Sequence, residues 1–281
     1  MAYNEEQKGI ISDIQRSSVH DGPGLRTTVF VKGCNMECAW CHNPETIKFE
    51  PEIILHPDKC IECGQCEEGC FSGARELCGR KKTVESVLKE VLLDKPYYGE
   101  KGGITVSGGE PLCQAEFVKN FLLACREHEI NTAIESNLNV SWKIAETVLS
   151  VCDLVMADLK IWDETLHQKW TGTGNKLIKE NFLKLAQKNI SLVLRTPIIP
   201  GVNDTKEEIT AIADFASGLE HLLYYEILPY HSLGKSKGIV ENFEPGDFEK
   251  PDQEKLEELA EYAVSQGVLV RIANRKFKKN K

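Results

Sequence analysis

The chain has 281 residues, 34 Lys and Arg against 43 Asp and Glu for a net charge of −9, and 41% hydrophobic residues. That composition supports a packed core and excludes a wholly disordered chain, and the acidic balance argues against bulk binding to nucleic acid or an anionic membrane. No stretch approaches the roughly 18 uninterrupted apolar residues of a spanning helix, and the polar start of the chain lacks the apolar core of a signal peptide, so a cytoplasmic protein is expected. Eleven cysteines in a reducing compartment rarely pair with one another, which makes metal binding the leading explanation for closely spaced sets.

In chain order, Thr27–Lys32 reads as a strand. Thr83 then gives a helix start signal, with Val84, Val87, Leu88, Val91 and Leu92 at helical spacing and Pro96 ending the run. Ile104–Val106 is a short strand, and Phe117, Phe121, Leu122 and Cys125 mark a helix. The alternation goes on with strand 132–135, helix 141–150, strand 153–158 and helix 176–188. It closes with strand 191–196, helix 205–217, strand 222–228, helix 252–266 and a last strand at Val268–Ile272.

Six strand–helix units imply a parallel sheet, and a closed barrel of this kind has about eight, so the pattern predicts an α/β fold, a partial (β/α)6 TIM-like barrel. One stretch breaks the rhythm. Residues 50–82, rich in Cys, Gly, Glu and Lys, read as an inserted cysteine-rich module, leaving 1–49 and 83–281 for the barrel.

Two cysteine groups stand out. Cys34, Cys38 and Cys41 follow the first strand at C-x3-C-x2-C spacing. Three thiolates on one tight loop suit a 4Fe–4S cluster that keeps one iron without a protein ligand; zinc with His42 as the fourth ligand is the alternative. Within the insert, Cys60, Cys63, Cys66 and Cys70 have bacterial-ferredoxin spacing, with Phe71 where proline usually follows, and predict an auxiliary 4Fe–4S cluster in a small ferredoxin-like module. Cys78 is a rival to Cys70 as its fourth ligand. Cys113, Cys125 and Cys152 sit in or beside apolar periodic segments and read as small core residues.

The flanking motifs are Asp21-Gly-Pro-Gly-Leu-Arg-Thr27, Cys41-His-Asn-Pro-Glu-Thr46, Ser107-Gly-Gly-Glu-Pro111, Met156-Ala-Asp-Leu-Lys160, Arg195-Thr-Pro-Ile-Ile-Pro-Gly201 and Leu228-Pro-Tyr-His-Ser-Leu-Gly-Lys235. Alone, Ser-Gly-Gly-Glu is a strand-to-helix turn, Asp158 and Lys160 a surface ion pair, and Arg195 and His231 structural. Together and in order, from about residue 9 to 272, they resemble the glycyl-radical-enzyme activating enzymes of the radical S-adenosylmethionine superfamily.

The resemblance implies an oxidoreductase working under anaerobic conditions. The open iron would bind S-adenosylmethionine, reductive cleavage would give a 5′-deoxyadenosyl radical, and that radical would take hydrogen from a glycine of a partner glycyl radical enzyme. Trp40, Cys41 and His42 would line the adenosyl portion, and Gly108, Gly109 and Glu110 the methionyl amine. Ser136, Asp158, Leu159, Lys160, Arg195 and His231 would complete the cofactor site, with Lys160 and Arg195 also in catalytic roles.

A monovalent cation is implied near Glu135 and Asp158. Glu135 and Ser136 stand where Asp and Thr are usual, however, and Leu138 where glycine is common. Reduced flavodoxin or a ferredoxin-type protein would supply the electron, and the insert points to a dehydratase, decarboxylase or lyase as partner. The rival readings are a radical enzyme acting on a peptide or small molecule, an iron–sulfur electron carrier, and a zinc-binding interaction protein.

Overall fold

The computed structural model describes residues 3–66, 69–232, 234, 237–241, 243–273 and 275–277. Strand β1 (Lys8–Ser18) runs antiparallel to β2 (Arg26–Val31). A hairpin of β3 (Glu52–Leu55) and β4 (Arg75–Cys78) leaves the main sheet, and β5 (Arg80–Thr83) returns to pair with β1. Strands and helices then alternate: α1 (Val84–Leu92), β6 (Gly103–Gly108), α2 (Ala115–Glu127), β7 (Asn131–Ser136), α3 (Trp142–Leu149) and β8 (Leu154–Asp158). Two helices, α4 (Glu164–Thr171) and α5 (Lys176–Ala186), precede β9 (Ser191–Ile198). The chain ends with α6 (Lys206–Ser217), β10 (Leu222–Pro229), α7 (Gln253–Val264), β11 (Val270–Ile272) and β12 (Arg275–Lys276).

The main sheet has the order β12-β11-β10-β9-β8-β7-β6-β2-β1-β5. Strands from β2 through β6, β7, β8, β9 and β10 to β11 are parallel, and β5 and β12 stand at opposite ends, so the sheet stays open. The six expected strand–helix units are all present, and β11 adds a further parallel strand. The expected helix start at Thr83 is the N-cap of α1, its hydroxyl accepting from the Ser86 N–H at 3.1 Å. Asp163, Thr205 and Asp252 cap α4, α6 and α7 in the same way.

Period-two alternation sorts each strand into two faces. Val29, Val31, Ile104, Val106, Ile134, Val155, Leu194 and Ile227 face the helices and form the main core with Phe121, Leu122, Phe182, Ile209 and Leu259. Burial of each such side chain contributes about 1.5–3 kcal/mol. The other face is the barrel lumen. Its lower layer is apolar, with Ala133, Leu154, Met156, Val193 and Tyr224 in one cluster. Two residues further along the same strands come Glu135, Asp158, Arg195 and Glu226. The lumen therefore changes from apolar to charged toward the C-terminal strand ends.

Among the described residues no helix is long and apolar enough to cross a membrane. The small sheet spans 52–78, within the cysteine-rich stretch 50–82, and β5 belongs to the main sheet. Ile54 and Cys78 turn inward with Val240, and Ile239 pairs with Leu55, so a segment after β10 ties the hairpin to the barrel.

Candidate active site

The loop after β2 carries Cys34, Cys38 and Cys41. It is anchored by backbone bonds from Gly33 to the Thr46 carbonyl (2.7 Å), from Cys34 to that of Ile47 (2.9 Å) and from Cys41 to that of Cys38 (2.9 Å). On its other side, the Glu37 and Ala39 N–H groups donate to Thr171 and Trp170 at the end of α4 (2.9 and 3.0 Å).

Burial pushes all three thiols upward, Cys41 to about 12, and each of Cys34 and Cys41 also feels Cys38. For Cys38, Lys160 opposes the rise. Three thiols, Cys38 buried and Cys34 and Cys41 half-buried, within electrostatic reach of one another need a bound cationic centre to hold them as thiolates, and iron supplies one. The donor set fits an iron–sulfur cluster on this ground. Among the described residues, no three Cys, His, Asp or Glu side chains converge tightly enough for a single metal ion.

Opposite the loop, Ser107-Gly108-Gly109-Glu110 ends β6. A Cβ on Gly109 would lie 2.3 Å from the Gly33 carbonyl oxygen, so only glycine lets this turn pass so close to the cluster loop. Glu110, 1% exposed, accepts from the backbone N–H of Leu112 (2.9 Å) and Asn137 (2.7 Å) and from the Ser136 hydroxyl (2.8 Å). Burial raises its pKa to about 7 against the pull of these donors. Asn137 also links to the loop: its side-chain amide donates to Asn35 Oδ1 at 3.0 Å and toward Cys34 Sγ at 3.9 Å.

A charged row crosses the top of the lumen. Arg195 Nε donates to Asp158 Oδ1 (2.9 Å) and Nη1 to Glu135 Oε1 (2.5 Å); Lys160 Nζ donates to Asp158 Oδ2 (2.8 Å) and Ser107 Oγ to Glu135 Oε2 (2.6 Å). Lys160 and Arg195 lose hydration by burial, yet Asp158 holds both above their ordinary pKa, with Glu135 adding to Arg195. Burial works to raise Asp158, but these two cations hold it below the usual carboxylate range.

His42 and His231 meet edge to face at 4.4 Å, and His231 Nδ1 is buried without a hydrogen-bond partner. Burial, then His231 and Lys237, lower His42 to about 4, so it is neutral at physiological pH. Asp21, on the β1–β2 loop, accepts from Thr28 Oγ1 (2.6 Å) and is felt by His42.

Most sequence-predicted residues thus share the C-terminal rim. Leu159 is placed differently: its side chain is fully buried in the helix-facing core, while its backbone joins β8 to β9 through the Arg195 carbonyl at 3.0 Å. Cys60, Cys63 and Cys66 are exposed and Cys70 half-buried, on the loop between β3 and β4. Cys125 and Cys152 are core residues, as their spacing implies, and Cys113 is half-buried. Sequence reasoning missed Asn137 and Phe248, and it quoted Asp21 within a motif without giving it a role. Asn137 lies inside the Glu135–Leu138 run already singled out; Phe248 lies in a stretch with no period.

A partial α/β barrel with a three-cysteine loop on its C-terminal rim defines a class, and the sequence matches the Radical SAM superfamily over residues 28–216. The chain is 39% identical to the (2S)-3-sulfopropanediol dehydratase activating enzyme of Klebsiella oxytoca, covering 75% of this chain and 78% of that one. It is 35% identical to the indoleacetate decarboxylase activating enzyme of Tractidigestivibacter scatoligenes over 93% and 96% of the two chains. A crystallised domain of a pyruvate-formate lyase-activating enzyme from Bacteroides vulgatus superposes with a TM-score of 0.53 at 28% identity, covering 61% of this chain and 98% of that one. The chain belongs to the radical SAM superfamily and, within it, to the activating enzymes of glycyl radical enzymes.

Proposed function

We propose that this chain activates a glycyl radical enzyme of the dehydratase, decarboxylase or lyase kind, and that its C-terminal rim is the seat of the reaction. When bound, S-adenosylmethionine and a 4Fe–4S cluster supply the one-electron cleavage and the carbon radical that takes hydrogen from the partner's glycine. Cys34, Cys38 and Cys41 hold the cluster. The backbone of Gly108 and Gly109 receives the methionyl amine, which the buried Glu110 braces through Ser136 and Asn137. Trp40, His42 and His231 enclose the adenosyl side, His231 offering its unpartnered Nδ1. Lys160 and Arg195, fixed by Asp158 and Glu135, orient the carboxylate end and keep water from an ordered, low-dielectric site.

The observation that carries this reading is the convergence on one rim of the three thiols of the cluster loop, the glycine turn and the charged row, from five separate strand ends. Cys60, Cys63, Cys66 and Cys70 are the ligands we assign to an auxiliary 4Fe–4S cluster, near the surface where reduced flavodoxin or a ferredoxin-type donor can reach it. Each oxygen of Glu135 and Asp158 accepts one bond from Ser107, Arg195 or Lys160, which leaves a lone pair on each for a monovalent cation at this place.

The test replaces Cys34, Cys38 and Cys41 together by Ala. Two cubane clusters correspond to about eight irons per chain, so about four should remain. Release of 5′-deoxyadenosine under anaerobic reduction should vanish. Retained cleavage would sink the assignment of this loop.

A further inference from the structure

After β10 the chain crosses the cluster loop before it enters α7. Of residues 243–250 in this strap, only Phe243, Gly246 and Phe248 are half-buried and the rest are exposed. Its anchors fall on the cluster loop. The Gly246 N–H donates to the Ala39 carbonyl at 2.8 Å. Phe248 meets Trp40 (6.2 Å, 77°), Trp170 (5.7 Å, 66°) and Tyr230 (5.9 Å, 79°), each edge to face or nearly so. A Cβ on Gly246 would stand 2.3 Å from the Phe248 ring, which therefore folds back over its own backbone to reach the indole.

Residues 37–40 are consequently gripped from two sides. The end of α4 holds their backbone, and the strap holds Ala39 and the Trp40 ring, next to the ligand Cys41. Phe248 thus packs a strap otherwise largely in solvent onto the core through Trp170 and Tyr230, and through its third ring partner it fixes the angle of the Trp40 indole.

We propose that Phe248 is a positioning residue, which sets the Trp40 indole and so preorganises the seat of the adenosyl portion of S-adenosylmethionine. The inference rests on the assignment of Trp40 to that portion.

Its test uses the full chain with both clusters reconstituted and kept oxidised, so that S-adenosylmethionine binds without turnover. By equilibrium dialysis, F248A should bind about tenfold more weakly, the scale of an edge-to-face aromatic pair, and F248Y should stay within about twofold. In turnover the rise in KM for the cofactor should exceed the fall in kcat. Without cofactor, the tryptophan emission of F248A should shift to the red as Trp40 and Trp170 gain water.

G246A keeps the ring but drives it off its seat, and should reproduce the weakening if F248A fails to fold. On a W40A background, F248A should add almost nothing, because both changes remove one contact. Affinity within about twofold of the natural chain in both F248A and G246A would overturn the proposal. So would additive losses with W40A. W40A without any effect would remove the role of Trp40, and that of Phe248 with it, while the thiol variants would still judge the activating function separately.

Discussion

Glu135 shows how one side chain sets the geometry of the rim. Its two oxygens reach in different directions, one to Ser107 and one to Arg195, while Arg195 also holds Asp158. A carboxylate one methylene shorter would sit farther from both partners, and we expect it to keep one of them and not both. Glu135→Asp should therefore lose one charge-assisted bond, a change of about 1.5–3 kcal/mol, and slow 5′-deoxyadenosine release by about tenfold or more at unchanged iron content. An unchanged rate would show that the Ser107–Glu135–Arg195 link has no part in the reaction. The rim positions were singled out in the sequence only through the family resemblance of their short motifs, which taken alone read as a turn, a surface ion pair and structural residues. The link from Asn137 to Cys34 and the nearness of Asp21 to His42 were not legible, since the fold alone brings these groups together.

At the scale of elements, legibility followed apolar periodicity. Six of the seven parallel strands carry runs of buried residues, β11 being short and mostly half-buried, and all seven were readable. Helix α4 was not, because its fully buried positions are His167 and Thr171, which give no apolar stripe. Strand β1 was missed for a related reason: of its eleven residues only Gly9, Ile11 and Ser18 are buried, which makes no apolar alternation. The insert leaves the choice of Cys70 or Cys78 open in the sequence, and their packing supports Cys70. Cys78 sits on β4 with its thiol donating to the Glu45 carbonyl at 3.3 Å and its flank against Ile54 and Val240. Cys70 lies half-buried on the same loop as the exposed Cys60, Cys63 and Cys66. Cys70→Ala should lower iron from about eight to about four per chain, while Cys78→Ala should keep the iron and cost about 1–2 kcal/mol in stability as a small cavity. Iron analysis with thermal melts on anaerobically purified protein reads both. Loss of iron from Cys78→Ala alone would reverse the assignment.

The whole molecule is an open sheet whose lumen is apolar below and charged at the rim, with β5 and β12 as its free ends. A reactive carbon radical takes hydrogen only from an atom held close to it, so the substrate must come to the rim. A small molecule would enter a closed barrel as easily. A glycine that is part of another protein can approach only as an extended loop, and such a loop needs an open side. Relatives that activate a dehydratase and a decarboxylase at 39% and 35% identity supply partners of that type to test. Incubation of the reduced chain with S-adenosylmethionine and a candidate glycyl radical enzyme of the dehydratase or decarboxylase kind, under anaerobic conditions, should give a doublet electron-paramagnetic signal. Substitution of the partner's loop glycine by alanine should abolish that signal while the activating chain still cleaves its cofactor slowly and without coupling. If no candidate partner gains a radical, and a peptide or small molecule instead accelerates cofactor cleavage strongly, the open side serves a different substrate and the protein-partner reading falls.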